Sequence, residues 1–167
     1  ETSMDIRDVL GRISLFADAL TPSQRDQLAA RCRIVTYPRD AVVMSEGDFG
    51  GFMLAIISGR LGVTTGSRRE RHPVATIGPG EIVGEMALLT GARRAATVTA
   101  LESTIAVEIS KVALEAMFLQ APDLFDRLGA LLADRQRRLG EPQAAPGRAS
   151  EIIDAMKRLF GRPSLSH

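Results

Sequence analysis

From residue 33 onward the chain is written in short β-branched and apolar runs cut by Gly, Pro and Asp: RIVTYPRD, AVVMSEGD, GFMLAIISG, RLGVTTG, PVATIGPGE, RAATVTALE and STIAVEIS. This punctuation constrains the fold more than any other feature, because each run suits one strand and is too short for a stable helix. Short strands at near-regular intervals with turn chemistry between them lead to an antiparallel sandwich or barrel. It is placed at residues 33–109. The stretch GSRRERHP at 66–73 reads as a charged, solvated hairpin tip.

Helical spacing brackets this region. Ile6, Val9, Leu10, Ile13 and Phe16 predict one amphipathic helix over 5–18. Thr21, Pro22 and Gln24 supply a cap, a first-turn proline and the far member of a capping box for a second helix, from Pro22 to Arg31. Beyond the strands, KVALEAMFLQ (111–120) predicts a third helix. After Pro122, the stripe Leu124, Phe125, Leu128, Leu131 and Leu132 predicts a fourth. Arg135, Arg137 and Arg138 fall in its final turns, where cations suit the helix dipole. GEPQAAPGRAS then reads as a flexible linker. In the closing segment Ile152, Ile153, Met156, Leu159 and Phe160 share a face, expected to dock on its own domain or on a neighbouring subunit. Its Lys157, Arg158 and Arg162 are too few for strong attraction to anionic lipid.

Charge and cysteine content narrow the partners. Lys and Arg number 21 against 20 Asp and Glu, so no broad positive field of the kind nucleic-acid binders carry is present. Any anion must be held locally. Cys32 is the only cysteine, which rules out an internal disulfide and points to a reducing compartment. The longest apolar run, Phe52 to Ile57, is far too short to cross a bilayer. The opening ETSM, with Met4 displaced from the start, reads as part of something longer, so a cytoplasmic domain is expected, including one attached to a membrane protein.

The stretch VGEMALLTGARRAATV, residues 83–98, carries the chemistry. Gly80 and Gly84 bracket a turn, and EMALL is long enough for one or two helical turns. A helix starting there points the free N–H groups of Glu85, Met86 and Ala87 outward, a physical device for holding phosphate. Gly84 lets a ligand approach the backbone. If Thr97 and Thr99 face solvent, the strand period turns Ala96, Val98, Ala100 and Arg94 inward and Arg93 outward. An inward arginine needs a partner, and its fork of donors matches two phosphate oxygens. Glu85 suits a sugar hydroxyl or Arg94 itself. Arg93 reads as a solvated strand-end charge and Glu81 as a turn residue.

These sixteen residues closely resemble the phosphate-binding cassette of cyclic nucleotide-binding domains, as in protein kinase A regulatory subunits, catabolite activator proteins and cyclic nucleotide-gated channels. Gly47 and Gly59, flanking DFGGFMLAIIS, match that family's spaced strand glycines, and the helix–barrel–helix order fits over residues 13–138. The resemblance implies an α+β fold: an antiparallel jelly-roll-like β-barrel with N-terminal helices, a short cassette helix and C-terminal lid helices. It implies that Arg94 and the backbone at Met86 and Ala87 hold a cyclic phosphate, and that Glu85 and the Gly84 backbone take the ribose 2′-hydroxyl. Ala95 stands where cGMP-preferring members place Thr, so cAMP is expected to bind better than cGMP. Ala95 and Ala96 complete the candidate ligand set, and Val83 departs from the commoner Phe. The helix after Pro122 would be a lid, with Leu128, Leu132 or Arg135 covering the purine.

The expected organisation is N-terminal helices at 1–32, barrel at 33–109 with its cassette at 83–98, hinge and lid at 110–139, and linker and tail at 140–167. The expected function is a regulatory, cAMP-preferring module coupled to a fused effector, foremost a bacterial cyclic nucleotide-gated channel. A stand-alone bacterial regulator and a ligand-free interaction domain are the alternatives, and a second copy of the chain is an open option as partner. Catalysis is not expected. Similar barrels host metal-dependent oxygenases, but this chain offers only His72 and His167 as histidine ligands. The residues after Arg138 are too few and too interrupted for a helix-turn-helix, so no operator contact is expected from this piece.

Overall fold

The computed structural model describes residues 5–67, 69–139 and 149–160. Among these residues, eight strands form two four-stranded antiparallel sheets: β1 (Arg33–Tyr37), β2 (Val42–Met44), β3 (Phe52–Ser58), β4 (Leu61–Gly66), β5 (Arg71–Ile77), β6 (Ile82–Val83), β7 (Thr97–Ala100) and β8 (Thr104–Ser110). One sheet runs in the order β1-β8-β3-β6 and the other β2-β7-β4-β5.

The unalternating run in β3 follows from its place. Leu54 and Ile56 point between the sheets, where they meet Val43, Met44, Leu61, Val98, Ala100 and Ala106. Met53 and Ala55 point the other way and pack under the helices with Val107 and Ile109 of β8. A strand covered on both faces has no solvent side on which to place polar residues. β5 is the opposite case, an exposed edge strand. Pro73 is tolerated there because an edge strand leaves one row of backbone groups unpaired. The strand starts at Arg71, so residues 71–73 belong to the sheet and the hairpin tip is shorter than its sequence suggests.

The helices are α1 (Ile6–Arg12), α2 (Ser14–Ala19), α3 (Pro22–Ala29), α4 (Glu85–Thr90), α5 (Lys111–Gln120), α6 (Leu124–Leu139) and α7 (Ala149–Phe160). The single helix expected over 5–18 is two, broken at an extended Ile13 (φ −87°, ψ 115°). In one straight helix Leu15 would lie opposite Ile6, yet Leu15 and Ala19 are buried together with Val9 and Leu10. Burying both sets requires the chain to turn, and tertiary packing overrides the local period. The capping box of α3 forms, with Gln24 N donating to Thr21 Oγ1 at 3.1 Å and Thr21 N to Gln24 Oε1 at 2.9 Å. This helix ends at Ala29, two residues before its expected end.

The helices cover the outer face of the β3–β8 sheet. Leu114, Met117 and Phe118 of α5 and Leu124, Leu128 and Leu132 of α6 belong to one buried cluster with α1 and α2. Arg127 Nε donates to Ala19 O at 2.9 Å, tying α6 to α2. α7 docks on its own domain. Phe160 meets Phe118, which stacks on Phe125 at 4.3 Å between ring centroids, and Ile153 lies against Gly129 of α6. The linker residues 140–148, Arg162 and His167 lie outside the described residues.

Candidate functional site

The site is built around the short helix α4. Gly84 caps it in a left-handed conformation, φ +86°, and a Cβ there would come within 2.7 Å of both Arg94 Nη1 and Met44 Cε. Glycine is required on both counts. The first N–H of the helix with a backbone acceptor in this turn is that of Leu88, to Gly84 O at 3.3 Å. The N–H groups of Glu85, Met86 and Ala87 thus precede any intrahelical acceptor.

Arg94 is turned inward and Arg93 outward, the expected orientations, but not through the strand period from which they were expected. The positioning device is a crossed pair of backbone bonds rather than a long strand: Arg94 N donates to Asp48 O at 2.7 Å and Gly47 N donates to Arg94 O at 2.8 Å. Phe49 and Arg93 form an isolated bridge beside them, and the Arg93 guanidinium lies 4.3 Å from the Phe49 ring centroid in solvent. β7 itself begins only at Thr97. Thr97 is buried, against the expectation that it faces solvent, because its hydroxyl accepts a hydrogen bond from Glu46 N at 3.0 Å.

The electrostatics of the two buried charges differ. Arg94 is 6% exposed, and its guanidinium donates to Phe52 O at 2.8 Å and to Gly84 O at 3.5 Å. Among the described residues no carboxylate lies within ion-pair distance of it. Burial pulls its pKa below the usual arginine value, while the charges of Asp48 and Glu85 act in the opposite sense. An arginine remains protonated under such a shift, so the pocket wall holds a desolvated cation whose hydrogen bonds go to carbonyls and whose guanidinium lies 5.1 Å from the Phe52 ring centroid. Glu85 is 4% exposed and is paired instead with the last helix in the site: Arg135 Nε donates to Glu85 Oε2 at 2.9 Å and Arg135 Nη2 to Ile82 O at 3.2 Å.

A cavity of about 330 Å³ opens between these groups, within the size range of small-molecule sites. Gly84, Glu85, Met86, Ala87, Arg94, Ala95 and Ala96 all line it, as do Val83 and Arg135. Ala95 is exposed and Ala96 half-buried. Glu81, read as a turn residue, accepts from Gly78 N at 2.6 Å and also reaches the cavity wall. Leu128 and Leu132, offered as residues that cover a base, do not line it. Both are buried in the helical core one and two turns below, because the i, i+4 row of α6 enters the cavity only at its end. The wall residues Val74–Ile77 of β5, Met44 of β2 and Gln136 of α6 were not foreseen. Gln136 could have been found: it continues the row 124–128–132 with a polar residue.

Among the described residues no group of His, Cys, Asp or Glu is arranged to hold a metal ion. No helix among them is long and apolar enough to cross a membrane.

Comparison with known proteins places this geometry. Residues 34–121, more than half of the chain, match the family model of the cyclic nucleotide-binding domain. A CRP-like cAMP-activated global transcriptional regulator of Mycobacterium tuberculosis is 27% identical over 161 residues, covering 92% of this chain and 71% of that protein. A cyclic nucleotide-gated potassium channel of Rhizobium etli is 32% identical over 108 residues, covering 65% of this chain and 28% of the channel. Among solved structures, the N-terminal domain of a transcriptional regulator from Streptomyces coelicolor superposes with a TM-score of 0.67 at 30% identity, over 80% of this chain and 93% of that one. Its jelly-roll-like sheets, its cassette and the extent of the family match identify the chain as a member of the cyclic nucleotide-binding domain family.

Proposed function

We propose that the chain is a cAMP-preferring regulatory module and that the cavity beside α4 is its ligand seat. The observation that carries the reading is Arg94, a buried guanidinium lining a cavity, hydrogen-bonded to carbonyl oxygens and set over the Phe52 ring, with no carboxylate in ion-pair contact among the described residues. Burying a cation in this way is costly, and an anion with two oxygens at the fork offsets the cost. In this reading the cyclic phosphate bonds to Arg94 and to the N–H groups of Met86 and Ala87. The ribose 2′-hydroxyl goes to Glu85 and the Gly84 backbone, and Ala95 and Ala96 flank the ligand. Ala95 has no hydroxyl to give a guanine amino group, which places cGMP second.

The mechanism is a population shift. A ligand biases such a domain only by its differential affinity for two states. Here the ribose hydroxyl competes for the carboxylate that holds Arg135, so occupancy of the cavity is felt by α6. The cassette helix has a second connection, since it packs against α7, whose Leu159 stands where a side chain on Gly91 would point. Movement of α4 therefore reaches both C-terminal helices. The working division is N-terminal helices 1–32, barrel 33–109, hinge and lid 110–139, and linker and tail 140–167, acting in the cytoplasm.

For the effector, a bacterial cyclic nucleotide-gated channel is proposed first. The sensor of a stand-alone regulator is the second reading, favoured by the longer match to the mycobacterial protein. Fractionation of the full gene product separates them: membrane residence with a cAMP-dependent cation flux supports the first, a soluble protein retained on DNA the second. The module itself is tested by calorimetric titration with cAMP and cGMP after removal of carried-over nucleotide. Tighter binding of cAMP is expected. Folded protein that takes neither nucleotide overturns the proposal.

A further inference from the structure

The lid helix places a glutamine where its own pattern calls for an apolar side chain. Leu124, Leu128 and Leu132 succeed one another at i+4 and are at most 1% exposed, and Gln136 is the next member of that row. It is 5% exposed, it lines the cavity that Arg94 lines, and its Oε1 is buried with no hydrogen-bond partner. Buried amide oxygens are almost always satisfied, and leaving one orphaned costs more than the bond itself contributes. A leucine would continue the row at no such cost. The orphan lies at the one turn of α6 where the row leaves the helical core and meets the cavity.

We infer that Gln136 is the base-reading residue of the site, its carboxamide pairing with the Hoogsteen edge of adenine. This inference rests on the cyclic-nucleotide reading given above and adds to it the residue that selects the purine. A carboxamide presents one acceptor and, beside it, donors. The Hoogsteen edge of adenine presents the complement, the 6-amino donor and the N7 acceptor, so two bonds form at once. Guanine presents two acceptors on that edge, O6 and N7, and pairs with the amide through a single bond while leaving Oε1 unsatisfied. Selection against guanine is then an active property of α6, beyond the missing hydroxyl at Ala95. The neighbouring Arg135 does not compete for the role, because its guanidinium is engaged by Glu85 and Ile82 O.

The test compares three ligands on three proteins by calorimetry: cAMP, cGMP and the cAMP analogue lacking the 6-amino group, on wild type, Gln136→Leu and Gln136→Glu. Wild type should bind cAMP on the order of tenfold more tightly than the 6-deamino analogue, the loss expected for one half of a bidentate pair. Gln136→Leu should bind the two alike, each more weakly than wild type binds the analogue, because leucine also removes the donor to N7 that the analogue still uses. Gln136→Glu keeps the acceptor for the 6-amino group and loses the donor to N7, and should retain part of the preference. Thermal unfolding of each variant checks the fold, and Gln136→Leu should melt no lower than wild type. Binding of cAMP and the analogue with equal affinity by wild type overturns the inference and leaves the cyclic-nucleotide reading standing. So does a preference that survives intact in Gln136→Leu. Failure of wild type to bind any of the three overturns both.

Discussion

Arg94 and Arg135 line the same cavity from different elements, and their surroundings differ in kind. Arg135, about a quarter exposed, ends on a buried carboxylate, so cation and anion cancel and the lid side of the site is complete without a ligand. Arg94 ends on two carbonyl oxygens, so the cassette side carries net charge in a desolvated wall. A balanced pair holds a structure in place; an unbalanced one stores affinity for whatever supplies the missing charge. Under the proposed function, the barrel wall would serve capture and the helix response.

The largest effect should come from removing the unbalanced charge. Arg94→Ala is expected to weaken cAMP binding by about 2 kcal/mol or more, roughly thirtyfold, while the ligand-free melting temperature changes little. A large stability loss with unchanged affinity would reverse the assignment of the two arginines. Gly84→Ala sharpens the point, because its added Cβ would meet the Arg94 guanidinium and Met44 directly and the Arg135 side only through Glu85. A left-handed alanine whose Cβ meets Nη1 and Met44 should cost about 2 kcal/mol of stability, read from chemical denaturation, and should weaken cAMP binding as well.

Arg135→Ala should show the opposite balance. It strands the Glu85 carboxylate in a buried position and should lower stability by about 1 kcal/mol, discounted for the partial exposure of the arginine. Adding Glu85→Gln should recover part of that loss, and a double-mutant cycle measures how much. The smallest effect is expected far from both. Burial, with a lesser contribution from the Glu108 charge, pushes the Cys32 thiol up to about 12. The thiol therefore stays protonated near neutral pH, and its alkylation should be slow in folded protein and indifferent to cAMP. Fast alkylation of the folded chain would contradict the packing where α3 meets β1.

Much of this contrast could be read from residues before any coordinates. The sandwich followed from the spacing of short strands and turn residues; Arg94 does face inward, but the alternation that suggested it does not hold, since Thr97 is buried and Arg94 precedes β7. α5 and the capping box of α3 were legible because their signals are local. What failed was non-local. The break at Ile13 arises because Leu15 and Ala19 must share a core with Val9 and Leu10. Thr97 is covered by the backbone of Glu46, fifty-one residues away. Leu128 and Leu132 have the right chemistry to cover a base, but the height at which α6 crosses the cavity decides that, among the described side chains of that helix, Arg135 and Gln136 reach it. Likewise, Glu85 was weighed as a partner for Arg94, and the helix that captures it instead lies fifty residues further on.

The central claim is that the desolvated Arg94 awaits an anion. The most direct test is a crystal structure of the protein with cAMP bound. The expected result has cyclic phosphate oxygens within hydrogen-bonding distance of the Arg94 guanidinium and of the N–H groups of Met86 and Ala87. A nucleotide seated with its phosphate away from Arg94, or a guanidinium still bonded only to the Phe52 and Gly84 carbonyls, would contradict it.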